Sequence, residues 1–276
     1  MTKILKWLLP LVAVLVAAAS CGPKAKAPKV LVLYYSQSSN TKAVAEEFTA
    51  RLGADSEEIL PVEPYAGTYQ DVVERSRRER ELEILPKVRP LSRDISAYDI
   101  IFLGYPVWFG TYALPVASLL GDIDLSGKKV VPFCTFGSGG LASSSRDLAA
   151  KFPDAEILPG YGVRAARIAA APQEIDRFLK AGGFIDGEYT PLDDFPAPHP
   201  VSEEESAVFD AAVGNYPMLH AKATEASARA IPGGTEYQFT AVDLPREGLP
   251  QQPGRVFKVY VNALDGQAPE FTQVVR

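Results

Sequence analysis

Residues 36–41 form a run of polar side chains, which we call the polar loop, between an apolar segment and a helical pattern in YYSQSSNTKAVAEEF (residues 34–48). A turn needs only two or three such residues. At a helix start, hydroxyls and free backbone N–H groups converge and favour an anion. No Lys or Arg precedes Lys42 in this stretch, so hydrogen bonds rather than opposite charge would hold a phosphate here. Neither the P-loop nor the G-x-G-x-x-G pattern is present, and an ordinary polar N-cap is the alternative.

Two further segments contain residue types that suit a planar ligand. The aromatic loop, GYPVWFGTYALP (residues 104–115), places aromatic side chains at a strand end, where a flat ligand could stack on Trp108. Packing against a neighbouring helix is the alternative. The glycine loop, TFGSGGLASSS (residues 135–145), leaves its backbone unscreened, so its N–H groups could approach the polar edge of a ring. A flexible loop without a ligand would look similar.

Each of these loops follows an apolar strand pattern and precedes a helical one. Between Lys29 and Gly182, five strand–helix pairs follow one another, from KVLVLYYS to PQEIDRFLKAGG. Near-continuous apolar strands without hairpin signals predict an α/β fold with a doubly wound parallel sheet. Ligands of such sheets bind at the carboxyl ends of the strands, so we expect the three loops to lie side by side.

A phosphate on the polar loop and a flat ring between the other two loops describe one mononucleotide. With YYSQSSNT, DIIFLGYPVWFGT and PFCTFGSGG, residues 29–182 resemble the flavodoxin-like fold of bacterial flavoproteins. The resemblance implies a five-stranded parallel sheet of order 2-1-3-4-5 and FMN as the cofactor. It also implies two groups of cofactor-binding residues. At the phosphate these are Ser36, Gln37, Ser38, Ser39, Asn40 and Thr41, and beside the isoalloxazine ring they are Pro106, Val107, Trp108, Phe109, Gly110, Thr135, Phe136, Gly137, Ser138 and Gly139.

The same resemblance implies a redox function in which the flavin supplies the reactive group, so no catalytic side chain is required. The function would be electron transfer or an NAD(P)H/quinone-type oxidoreductase reaction, and the sequence leaves open whether the protein is an enzyme. It identifies neither the electron donor nor the acceptor. His199 and His220 lie outside the predicted site, so we expect no metal site. Cys134, within an apolar strand, is expected to be buried rather than catalytic.

The first twenty residues have the pattern of a secretory signal peptide. Lys3 and Lys6 precede an apolar run that is too short for a comfortable membrane span. The run ends in AASC, which resembles a bacterial lipobox and implies lipidation of Cys21; an ordinary cleaved signal with a chance cysteine is the alternative. Residues 21–28 would then form a flexible tether. We therefore expect an extracytoplasmic protein that is lipid-anchored to a bacterial membrane.

The charge distribution argues against one class of partner. The chain of 276 residues has a formal net charge of −6 and no stripe of Lys and Arg interleaved with aromatic residues. We therefore expect no nucleic-acid partner.

The character of the sequence changes after Gly183. Residues 183–202 are rich in Pro and Asp and are predicted to form a linker, and residues 203–276 a small α+β domain whose helix has Ser202 and Glu205 as a capping box. The strand patterns of this domain resemble the cystatin-type fold. The Q-x-V-x-G motif of that family would fall on AIPGG (residues 230–234), so peptidase inhibition is not implied. The alternative to a redox protein is a non-enzymatic binding lipoprotein whose cystatin-like domain engages a protein partner.

Overall fold

The computed structural model describes residues 27–214, 216–245 and 254–276. The expected signal peptide, Cys21 as the expected lipidation site, and all but the last two residues of the expected tether lie outside the described residues. Among the residues that are described, no helix is both long and apolar enough to cross a lipid bilayer.

A parallel sheet forms the centre of the N-terminal domain. Its strands and a short hairpin strand beside it are β1 (Val30–Tyr34), β2 (Asp55–Glu58), β3 (Ile100–Trp108), β4 (Thr111–Tyr112), β5 (Lys129–Phe136), β6 (Glu156–Ile157) and β7 (Tyr161–Arg164). Neighbours follow the order β2-β1-β3-β5-β6, and β7 pairs with β5 beyond the end of β6. This order agrees with the expected 2-1-3-4-5 when β6 and β7 count as two parts of the fifth strand. Pro159 separates the two parts, because it has no N–H group for the ladder.

Helices cover both faces of this sheet. They are α1 (Asn40–Leu52), α2 (Tyr69–Glu81), α3 (Leu114–Asp122), α4 (Leu141–Lys151) and α5 (Ala171–Ala181). Phe48 of α1 and Leu179 of α5 are buried on one face. Val72 of α2, Leu119 of α3 and Leu148 of α4 are buried on the other. The doubly wound arrangement therefore removes both faces of the sheet from water, as its apolar strands require.

One connection departs from the expected strand–helix alternation. After β3 the chain turns back through Phe109 and Gly110 into β4, and Trp108 pairs with Thr111. Both turn residues have positive φ angles, 50° and 87°, as the two-residue turns that match the strand twist require. We found no hairpin signal in the sequence because Phe-Gly is not one of the usual Asn-Gly or Asp-Gly pairs.

The C-terminal domain is an antiparallel sheet with one helix packed on it. Its elements are β8 (His199–Pro200), α6 (Glu203–Val213), β9 (Ala221–Ile231), β10 (Gly234–Asp243), β11 (Val256–Leu264) and β12 (Glu270–Val275). The strand order is β12-β11-β10-β9-β8. Phe209 of α6 packs on Phe239 of β10, with ring centroids 5.2 Å apart. The predicted capping box is confirmed, because Ser202 and Glu205 each accept a hydrogen bond from the other's backbone N–H.

The predicted linker is attached to this sheet. His199 and Pro200 pair with β9 as strand β8, so the linker is shorter than the predicted range of 183–202. Ser227 donates a hydrogen bond to the Pro196 carbonyl at 2.7 Å, and the Arg229 guanidinium lies 4.2 Å from the ring centroid of Phe195. These contacts hold the segment on the surface of the C-terminal domain.

Gly104 provides a test of the packing in the parallel sheet. A Cβ on Gly104 would lie 2.1 Å from a ring carbon of Phe133 on β5. We expect Gly104→Ala to lower the free energy of unfolding by about 1–3 kcal/mol, the usual cost of overpacking a filled core. Urea unfolding followed by the fluorescence of Trp108, the single tryptophan of residues 27–276, measures this change.

The matched control is Gly121→Ala at the end of α3, where an added Cβ has no atom within 4 Å. The higher helix propensity of Ala should leave stability unchanged or raise it by up to about 1 kcal/mol. Equal stability of the two variants would contradict the packing described here.

Candidate cofactor site

The polar loop turns at the carboxyl end of β1 and enters α1. Ser39, the residue before the helix, has a left-handed backbone with φ of 64°, and its side chain caps no N–H group. In the described part of the chain, the N–H groups of residues 37–41 have no hydrogen-bond acceptor. These free donors lie at the positive end of the α1 dipole, an arrangement that suits a phosphate.

Several side chains of the polar loop are bonded within the protein. Thr41 is buried, and its Oγ1 lies 2.8 Å from Oγ1 of Thr135 on β5. Ser36 Oγ accepts a hydrogen bond from the Lys42 N–H at 3.1 Å. We expected hydroxyl groups to point at the ligand, but the Thr41 hydroxyl faces the sheet. The loop therefore presents its backbone donors and the exposed hydroxyls of Ser38 and Ser39, while Ser36 and Thr41 hold its backbone in place.

Trp108 is held by two tyrosines at the base of the aromatic loop. Its ring meets Tyr35 and Tyr65 edge to face, with centroid distances of 5.7 and 5.0 Å. Tyr65 donates a hydrogen bond to Glu79, and burial and then this carboxylate raise the pKa of the phenol, so the ring stays neutral. Gln37 accepts a hydrogen bond from Tyr35 and donates one to the Tyr65 carbonyl. The same cluster therefore positions both the polar loop and Trp108.

The hairpin of the aromatic loop presents Phe109 to solvent. Its backbone lies in the left-handed region, which residues with a Cβ seldom adopt, and its side chain is 43% exposed. Arg80 of α2 donates a hydrogen bond to the Phe109 carbonyl at 3.3 Å and lies 5.3 Å from its ring centroid. Strained residues and exposed aromatic rings of this kind are typical of binding sites.

Two glycines of the glycine loop allow close approach to neighbouring elements. A Cβ on Gly140, whose φ is 132°, would lie 2.4 Å from Val107 of the aromatic loop. A Cβ on Gly139 would lie 2.0 Å from the carbonyl oxygen of Val274 in β12. The Val274 N–H donates to the Ser138 carbonyl at 2.6 Å. The last described strand of the C-terminal domain therefore lies directly against the glycine loop.

Arg164, at the end of β7, connects the glycine loop with β12. Its buried guanidinium donates through Nε to the Gly137 carbonyl at 2.9 Å and through Nη1 to the Phe271 carbonyl at 3.0 Å. It also stacks on Phe271, 3.4 Å from the ring centroid. Burial lowers the pKa of this guanidinium, but arginine remains charged at neutral pH. A buried charge requires such partners, so Arg164 holds the two domains in one arrangement.

A cavity of about 1060 Å³ opens where the three loops meet the C-terminal domain. Its lining includes most of the residues predicted from the sequence, namely Gln37, Ser38, Pro106, Val107, Trp108, Phe109, Gly110, Gly137, Ser138 and Gly139. The other four residues of the polar loop, Ser36, Ser39, Asn40 and Thr41, do not line it. The structure thus brings all three loops to one place.

Thr135 and Phe136 were expected beside the isoalloxazine ring, and neither lines the cavity. Both belong to β5 and are buried. They pair with Val163 and Arg164 of β7 and end β5, whose extent matches the strand pattern KKVVPFCTF.

The sequence analysis missed two walls of the cavity. One lies before and within α2, with Thr68, Tyr69 and Ser76 among its residues. The other belongs to the C-terminal domain and includes Tyr216 and residues 273–276 of the β12 region. Strand β12 was not predicted, and no local pattern marks it as part of a site. Its contribution depends on the docking of one domain on the other.

The sequence of residues 29–174 matches the profile of the family described as Flavodoxin. This segment is just over half of the chain and contains the polar, aromatic and glycine loops. The chain belongs to the flavodoxin family. No curated protein matches this flavodoxin.

Several solved structures are similar to this flavodoxin. A putative flavoprotein from Bacteroides eggerthii DSM 20697 is 29% identical, and the match covers 54% of this chain and 96% of that one, with a TM-score of 0.45. A putative flavoprotein from Bacteroides uniformis ATCC 8492 is 24% identical over 55% and 99% of the two chains, with a TM-score of 0.49. A flavoprotein from Lactobacillus acidophilus NCFM, in complex with FMN, is 23% identical over 56% and 100%, with a TM-score of 0.46.

The residues of this site fit FMN, the cofactor that the flavodoxin fold implies. Free N–H groups at a helix start suit a phosphate, and Trp108 and Phe109 offer flat apolar surfaces to a ring. Among the described residues, the N–H groups of Gly137 and Gly139 have no hydrogen-bond acceptor, which suits the polar ring edge. The volume is at the upper limit of the roughly 300–1,000 Å³ typical of ligand pockets. Within the described ranges, no three His, Cys, Asp or Glu side chains are grouped to hold a metal ion.

Gly139→Ala tests the contact between the glycine loop and β12. The new methyl group would collide with a backbone carbonyl, which a side-chain movement cannot relieve. We expect hydrogen–deuterium exchange at the Val274 amide to become about tenfold faster, as for the loss of a hydrogen bond worth about 1–1.5 kcal/mol. Ser138→Ala is the matched control, since it retains the accepting carbonyl. Unchanged protection at Val274 in the Gly139 variant would refute the contact.

Proposed function

We propose that this flavodoxin binds FMN and acts in electron transfer, either as a carrier or as an FMN-dependent oxidoreductase with a small acceptor. The observation that carries the proposal is the group of free N–H donors of residues 37–41, next to the cavity shared by Trp108 and the glycine loop. FMN supplies the redox chemistry when it is bound. The residues of the chain bind the cofactor, orient it and limit its contact with water.

Each loop has one role in this proposal. The polar loop holds the phosphate through backbone donors, with Ser36 and Thr41 as positioning residues. Trp108 and Phe109 lie on one side of the isoalloxazine ring, and the backbone of the glycine loop lies on the other. Cys134 takes no part, because burial raises the pKa of its thiol and removes it from solvent.

We also propose that Cys21 is lipidated after removal of residues 1–20 and anchors the protein outside the cytoplasm of a bacterium. The AASC sequence and the short segment between it and β1 support this proposal.

For the C-terminal domain we propose a cystatin-like fold that binds a protein partner. A helix followed by antiparallel strands supports the proposed fold, and the partner remains unidentified.

The chain without residues 1–20 should bind one FMN per molecule. Visible absorbance of the purified protein and quenching of Trp108 fluorescence by added FMN measure this binding, because Trp108 is the single tryptophan of that chain and lines the cavity. A colourless protein that also ignores added FMN would exclude the redox function and favour the non-enzymatic binding lipoprotein.

Ser36→Ala and Thr41→Ala should each weaken FMN binding by about two- to tenfold, the effect of losing one hydrogen bond of about 0.5–1.5 kcal/mol. The reason is that both hydroxyls hold the backbone donors of the polar loop in place. The dissociation constant from Trp108 quenching measures the effect. Ser56→Ala on the exposed part of β2 is the control and should bind FMN like the unchanged chain. Unchanged affinity in both loop variants would place the phosphate elsewhere.

Cys21→Ala tests the proposed anchor in a bacterial host that expresses the full chain. The variant should lose partition into the detergent phase of a cloud-point extraction, because it has no thiol for the lipid. Ser20→Ala retains the cysteine after a small residue and should still partition into that phase. Retention of the Cys21 variant in the detergent phase would rule out this anchor.

A further inference from the structure

The C-terminal domain forms one wall of the cavity and does so through a built contact. Val274 donates to the Ser138 carbonyl, and Arg164 donates to both Gly137 and Phe271. Arg167 adds an ion pair with Glu270 of β12 at 2.9 Å. The space between the domains is therefore a defined part of this structure.

The lining of the cavity extends over both domains. Its volume of about 1060 Å³ is at the upper limit of the roughly 300–1,000 Å³ range of ligand pockets. Its lining also extends beyond the predicted isoalloxazine contacts, to Arg146 of α4 and to Tyr216, Met218 and Arg255 of the C-terminal domain. This further part of the lining comes from both domains.

The charges around this space have one sign. Arg146, Arg255 and Arg276 line the cavity, and in the described part of the chain no Asp or Glu side chain lines it. Arg146 and Arg255 are exposed and have no ion-pair partner among the described residues. Clefts with arginines and no acids concentrate anions. This sign contrasts with the net charge of −6 for the whole chain.

The same cavity carries exposed apolar side chains. Tyr69 is 78% exposed, Phe109 43% and Met218 67%, and all three line it. They come from α2, the aromatic loop and the C-terminal domain. Apolar side chains that line one cavity offer contacts to the apolar part of a ligand.

From these observations we infer a second ligand site, in which a flat aromatic anion binds between the flavodoxin domain and the C-terminal domain, beside FMN. Arg146 and Arg255 hold its negative group, and Phe109, Tyr216 and Met218 contact its apolar part. This inference rests on the proposed FMN function and names the class of its small-molecule redox partner. The site requires both domains, because Arg146 belongs to one and Arg255 to the other.

Equilibrium binding to the FMN-loaded, oxidised chain tests this site without turnover. The probes are anthraquinone-β-sulfonate and the uncharged anthraquinone with a hydroxymethyl group at the same position. Perturbation of the flavin absorbance gives each dissociation constant. We expect the sulfonate to bind at least about tenfold more tightly at low salt and to lose this advantage as salt screens the arginines.

Arginine variants assign the charge preference to the cavity. Arg146→Gln and Arg255→Gln should each weaken sulfonate binding by about three- to tenfold. This range lies between the effect of losing an exposed ion pair and that of losing a charge-assisted hydrogen bond. Binding of the uncharged probe should change little. Arg77→Gln is the matched control, since Arg77 is an exposed arginine of α2 that does not line the cavity.

Titration with NAD⁺ distinguishes two kinds of aromatic anion. If NAD⁺ binds more tightly than the sulfonate, with the same dependence on the arginines, the ligand is a dinucleotide. If the sulfonate binds more tightly, the ligand is a small aromatic acid.

The FMN content of each variant, measured before titration, separates the two proposals. Failure to bind FMN would refute the proposed function itself. Full FMN binding with equal affinity for the charged and uncharged probes would overturn only the second site. Loss of FMN affinity equal to the loss of sulfonate affinity in both cavity variants would also overturn it, because the arginines would then belong to the cofactor.

Discussion

Helices cover both faces of the parallel sheet, and this burial restricts where the protein can bind a ligand. Side chains of α1 and α5 fill one face and those of α2, α3 and α4 the other. The strand ends and the sheet edge at β2 remain accessible. The carboxyl ends of β1, β3 and β5 are followed by the polar, aromatic and glycine loops, and parallel pairing brings these ends to one edge. The site therefore follows from the layered packing of the domain.

The C-terminal domain docks at the same edge for a reason that lies in its own sheet. β12 is an outer strand, and an outer strand presents unpaired N–H and carbonyl groups. Two of them are satisfied: the Val274 N–H donates to the Ser138 carbonyl of the glycine loop, and the Phe271 carbonyl accepts from Arg164. The glycine loop and Arg164 of the flavodoxin domain thus pair with backbone groups that the C-terminal sheet would otherwise leave without partners. The same contacts give the cavity a wall from each domain and a row of arginines that the flavodoxin domain alone does not have.

The predictions from sequence succeeded where the signal is local. Helix starts such as Ser202 with Glu205, the apolar strands and the three loops each occupy a few consecutive residues. The predictions were wrong or incomplete where pairing between distant segments decides the outcome. His199 and Pro200 were assigned to the linker, because only their pairing with β9 makes them a strand. Arg164, Tyr216 and β12 were missed because each acts through a contact with a segment far away in the chain.

By itself, the amino-acid sequence determined the α/β class, the alternation of strands and helices in the flavodoxin domain apart from the β4 hairpin, and the three loops at its binding edge. These features depend on hydrophobic periodicity, capping residues and turn chemistry, which act within a few residues. Only the tertiary structure decided which donors of the polar loop are free and which residues close the cavity. The physical reason is that the buried guanidinium of Arg164 and the open edge of β12 bond to whichever groups the packing brings within hydrogen-bond distance. These groups belong to residues 137–139 and 271–274, which are far apart in the sequence and meet only in the folded chain.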